Sequence, residues 1–161
     1  MPFYYDLNRI TATAASGGTE ASHLAGKTVA NQETVGISGL YVSGRGGTAG
    51  GATVRLKHNT GTVFSGGTAQ TPAPRNLRGA PAAQSTWVND ATAITAGTTL
   101  VQRLSIGFAQ TGGMGGWVAT EPTAKVQMMP NTTNPVDVEI TSIANGATLP
   151  IEITAEFGEG V

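Results

Sequence analysis

Two histidines, His23 and His58, are the only side chains in the 161 residues whose ordinary pKa places proton exchange near neutral pH. Either would need a nucleophile and an orienting carboxylate to act as a general base, and neither has such partners close in sequence. His58 closes the run ATVRLKH and reads as a surface or turn residue. The G-x-S-x-G pattern, which exposes a serine on a strained strand-to-helix elbow, is absent. A hydrolase therefore requires His23 or His58 to meet a distant Ser and Asp in a cleft.

Carboxylates offer a second chemistry. Asp137 with Glu139, and Glu152 with Glu156, stand on single strand faces, where they could hold calcium or share acid and base roles. Strand alternation gives the plainer reading of a solvated outer face. The segment ASHLAGKT, residues 21–28, fits a relaxed phosphate-loop pattern. Its flanks are not a buried strand and a helix start, so the segment reads as a coincidental loop. With no cysteine, thiolate catalysis and Cys-ligated zinc are excluded, and no cofactor or metal is expected.

Aromatics and loop cations complete the candidates. Tyr41, Trp87 and Trp117 could form a sugar-binding platform, although core packing accounts better for Trp87. Trp117 follows the glycine cluster TGGMGG and reads equally as an interface or a core residue. Arg75 and Arg78 lie in a proline-rich stretch, where they could pair with acids on a partner or remain solvated.

The elements that would position these residues are strands. The 23 glycines are about twice the usual ~7%, and charged residues, at 12%, are about half the usual ~25%. Thr, Val and Ile favour a pleated surface, while Gly and eight prolines supply turns. Strand-like runs begin at Glu33: ETVGISGLYVS, ATVRLKH and GTVFS, then LVQRLSIGFAQ, WVAT and KVQMM, and last VDVEITSI and PIEITAEF with Asn145-Gly146 as a turn between them. Residues 66–98, with Pro72, Pro74 and Pro81, are expected to be a long functional or interface loop. This predicts one all-β domain, a β-sandwich or jelly roll over residues 33–161, with long Gly/Pro-rich loops. Residues 1–32 open on Phe3, Tyr4 and Tyr5 and have no sustained period. They read either as an extended N-terminal arm, the boundary taken here, or as a first strand paired within its own sheet.

A net charge of −1 provides no basic footprint for nucleic acid. No run approaches the ~18 apolar residues of a membrane helix, and the start MPFYYDLNRI does not read as a secretory leader.

The short aromatic opening MPFYYDL, the central proline and glycine loop and the final acidic-alternating IEITAEFGE, in a cysteine-free Thr/Ala/Gly-rich chain, resemble the jelly-roll decoration (cement) proteins of tailed-phage capsids. The resemblance implies a non-enzymatic virion protein, made in the host cytoplasm and carried on the capsid exterior. It further implies a homotrimer that binds the major capsid protein and clamps neighbouring shell subunits. By the same resemblance, inter-subunit contacts fall first to Phe3, Tyr4, Tyr5 and Arg9, then to Arg75 and Arg78, with Trp117 as a further candidate. A tail or baseplate β-sandwich and a carbohydrate-binding module are the alternatives of similar composition.

Overall fold

The computed structural model describes residues 2–14, 20–28, 32–45, 51–60, 64–75, 79–91, 93–94, 99–108, 113–121, 125–128 and 136–160. Among them are strands and irregular segments, with no helix. Sheet I runs β11 (Met114–Val118), β3 (Val35–Gly44), β14 (Leu149–Glu159), β1 (Phe3–Ala14) and β7 (Ala73–Pro74), and β12 (Val126–Met128) also pairs with β3. Sheet II runs β10 (Thr99–Phe108), β4 (Gly51–Thr60), β13 (Val136–Asn145), β2 (Ala21–Lys27), β8 (Thr86–Asn89) and β6 (Thr68–Gln70). A separate pair joins β5 (Phe64–Ser65) to β9 (Ala93–Ile94).

The pairing is nested and antiparallel throughout. β1 lies beside β14, β2 beside β13, β3 beside β11 and β12, and β4 beside β10. Each such pair falls in the opposite sheet from the next, which is the order of a long hairpin rolled into two sheets, a jelly roll. The sandwich expected from alternation and turn spacing is therefore the observed fold. Asn145 and Gly146, the latter at φ +120°, form a corner between sheets, because β13 and β14 belong to different ones.

Three expectations are corrected. Residues 1–32, taken as an arm, instead supply a strand to each sheet: β1 pairs with β14 from Phe3↔Glu159 to Ala14↔Leu149, and β2 pairs with β13 and β8. Their period was hidden because β1 carries a register shift between Arg9 and Ala12, and much of what these strands bury is as small as Ala12, Ala14 and Ala25. The stretch 66–98 contains β6, β7, β8 and β9, with Pro74 on edge strand β7, where a missing N–H costs no ladder bond. His58 is buried within β4 between Val101 and Val138, because that strand continues past the apolar run to Thr60.

The core fills the space between the sheets. The Phe157 ring stacks on Tyr5 at 5.4 Å and meets Trp87 at 5.1 Å, joining β14, β1 and β8. Gly26 makes room for the indole, since a Cβ there would stand 2.6 Å from the Trp87 ring. Burying side chains of this size stabilises the fold by roughly 1.5–3 kcal/mol each. Their polar atoms are bonded: Tyr5 Oη donates to the Pro81 carbonyl (3.1 Å) and Trp87 Nε1 to Ser85 Oγ (2.9 Å).

Candidate functional site

The histidine chemistry can be judged directly. His23 Nε2 lies 2.6 Å from Ser142 Oγ, and its Nδ1 lies 3.9 Å from Asp90 Oδ1, so a Ser, a His and an Asp do come together from β13, β2 and the end of β8. They do not form a usable triad. Ser142 is fully buried and His23 is 2% exposed, so no substrate carbonyl can reach Oγ, and the His–Asp separation exceeds hydrogen-bond length. Asp90 instead pairs with Arg9, which reaches across from sheet I. Burial lowers the His23 pKa to about 4; Asp90 opposes that shift and Arg9 adds to it. The ring is neutral at pH 7, and the cluster ties β1 of sheet I to β2 and β13 of sheet II.

On the outer face of sheet II, Glu20 bonds Lys57 and Thr141 and stands 3.5 Å from Arg55. Burial pushes the Glu20 carboxyl up, but the Lys57 and Thr141 bonds and the two cations outweigh it and hold it below the usual range. Glu139, read as solvated, is 9% exposed opposite Lys57, and this face is largely closed. Phe64 of β5 packs over Ala25 and Val88, with Lys27 Nζ 4.8 Å from its ring centre. Lys27 is the lysine of the ASHLAGKT segment, which is strand β2 and has no loop to cradle a phosphate.

The outer face of sheet I is open. Tyr41 of β3 faces Gly116 of β11 and Thr154 of β14. A Cβ on Gly116 or on Gly39 would stand 3.2 Å from the tyrosine ring, so the ring lies low over two glycines. Its hydroxyl is 3.4 Å from Glu156 Oε2, while Arg75 binds both Asp6 (2.8 Å) and Glu156. Burial and the neighbouring Glu156 raise the Tyr41 phenol pKa. Beside the ring is a shallow groove of about 470 Å³ lined by Ser43, Met114, Glu152 and Thr154, with Met114 82% exposed.

The remaining candidates separate. Phe3 and Tyr4 are exposed at one end of sheet I, Tyr4 with Lys125 Nζ 5.8 Å from its ring centre, whereas Tyr5 points inward as a core residue. Arg9 and Arg75 are held in ion pairs within the chain, and Arg78 lies outside the described residues. Trp117 packs half-buried against the core from β11, its neighbours Gly116 and Val118 facing outward. Glu159, buried near Phe3, accepts bonds from the Gln84 and Ser85 amides and from Ser85 Oγ, fixing the β7–β8 connection. Among the described residues no cluster of His, Asp or Glu could hold a metal ion.

No protein-family model, curated protein or solved structure matches this chain.

Sequence reasoning singled out Tyr41 but missed its setting. The signal was the outward position of Gly116 in MGGWV, which gains meaning only once β11 is known to pair with β3.

Proposed function

We propose that this chain is a non-enzymatic structural subunit, a capsid decoration protein that assembles as a trimer on the outside of a phage head and braces neighbouring major capsid subunits. The observation that carries the reading is the Phe3/Tyr4 end of sheet I. Two adjacent aromatics are exposed there on a strand whose following residues are clamped by β14 and β7. Phe3 rims a recess of about 280 Å³ lined with Glu33, Pro81 and Gln84. Exposed aromatics, one of them beside a pocket, are what interface anchors look like, and repetition over a lattice turns modest contacts into firm attachment.

Light scattering of the purified protein and co-sedimentation with undecorated phage heads test the reading. A trimer saturating the heads at fixed stoichiometry is expected, with attachment lost in Phe3→Ser/Tyr4→Ser. A monomer that stays in the supernatant would sink it.

A further inference from the structure

The groove beside Tyr41 lies away from the Phe3/Tyr4 end: along β14, Tyr41 is level with Thr154 and Tyr4 with Gly158, a difference of four residues or roughly 13 Å. We propose that this groove is a saccharide site, which takes one face of a neutral or amino pyranose on the Tyr41 ring.

Three features carry the inference. The ring is a flat apolar surface held low on the sheet, because Gly39 and Gly116 leave the space that it occupies. It is 37% exposed, so one side remains open to a ligand. Its position is fixed in advance: the hydroxyl meets Glu156, Glu156 is held by Arg75, and Arg75 is held by Asp6. Little freedom is therefore lost on binding.

The groove also has the polar partners that a sugar requires. A pyranose presents a C–H face with hydroxyls around its rim, and here the aromatic is bordered by the Ser43 and Thr154 hydroxyls and by the Glu152 carboxylate. Asn8 Nδ2 reaches one Glu152 oxygen at 3.4 Å and orients the group to accept a ligand hydroxyl. Met114 forms the outer wall. A lipid tail would offer these polar groups no hydrogen-bond partner. The electrostatics select among sugars. Glu152 is the charged residue of the lining, and the nearby Arg75 is already shared between two carboxylates, so uronic and sialic acids are repelled.

The experiment is an array of neutral, amino and acidic glycans probed with the labelled intact protein, followed by titration of the strongest binder by heteronuclear NMR. Binding to neutral or amino glycans is expected at a dissociation constant on the order of 1 mM or tighter. It should weaken at least about tenfold in Tyr41→Ala and in Glu152→Gln, and also in Gly116→Val, whose side chain lifts the ring. Melting temperatures near the wild-type value in Tyr41→Ala and Glu152→Gln separate lost binding from lost folding. Silence across the array, binding to acidic glycans alone, or binding indifferent to all three substitutions overturns the proposal. The assay contains no capsid, so its failure leaves the assembly reading intact, and failed co-sedimentation leaves this one intact.

Discussion

The two outer faces of the sandwich are built from the same strand alternation and end in opposite states. Sheet II covers its face: Phe64 seals Ala25 and Val88, and Lys57, Glu139 and Thr141 are all buried. Sheet I leaves Tyr4, Tyr41, Met114 and Val118 exposed around a ladder of ion pairs. On sheet II, Phe64 of β5, from the long β4–β10 connection, packs on Ala25 and Val88, and Glu20 bonds Lys57 and Thr141, while that connection gives sheet I only the edge strand β7. A covered face contributes stability, and an open apolar face of this kind is where binding is to be sought.

The largest test of that contrast exchanges one aromatic on each face. Phe64→Ala should cost about 3 kcal/mol in denaturant unfolding, as a buried phenylalanine does, whereas Tyr41→Ala should stay within about 1 kcal/mol. Equal losses would erase the distinction between the faces. Acid should act on the sheet II side next. The folded pKa of His23, about 4, lies below its unfolded value of 6.5, so the unfolded chain takes up the proton first. The contribution of His23 is complete above pH 6.5 and declines as pH falls toward 4, by about 3 kcal/mol in all. His23→Gln should flatten that part of the stability profile, and an unchanged slope would remove His23 as its cause.

Glu20→Ala follows, at about 2 kcal/mol, because it leaves Lys57 buried without its shortest ion partner. The loss should exceed that of Glu20→Gln, which keeps acceptor capacity toward Thr141. Glu20 adds its own acid sensitivity, since its lowered pKa makes its contribution present above the ordinary 4.5 and lost as pH falls through the folded value. The smallest effect belongs to the open face: Arg75→Ala should cost no more than about 1 kcal/mol and lose most of that in high salt, because the Arg75 side chain is 42% exposed. A larger, salt-independent loss would mean that this face is as structural as the other.

Where side chains are large and alternation unbroken, the sequence was readable. Val138 and Ile140, then Ile151, Ile153 and Phe157, define β13 and β14, and Trp87 lies in the core as its apolar bulk required. β1 and β2 were not readable, because a bulge and buried alanines conceal their period. The His23–Ser142 contact spans 119 residues, and the pairing of Tyr41 with Gly116 depends on register. Local pattern specifies a strand, whereas a site depends on which strands become neighbours.

One pairing described above governs how the chain can fold. β14 is the last strand in sequence, yet it lies between β1 and β3, two of the first three, in register from Phe3↔Glu159. During synthesis those early strands emerge with the middle of their sheet still unmade, and they must wait, unpaired on that side, until residues 149–159 leave the ribosome. Contacts this distant in sequence make folding slow and leave strand edges exposed to other chains meanwhile. The low charge that suits the finished surface gives little protection during that interval, so soluble yield should depend on synthesis rate and temperature more than final stability alone would suggest.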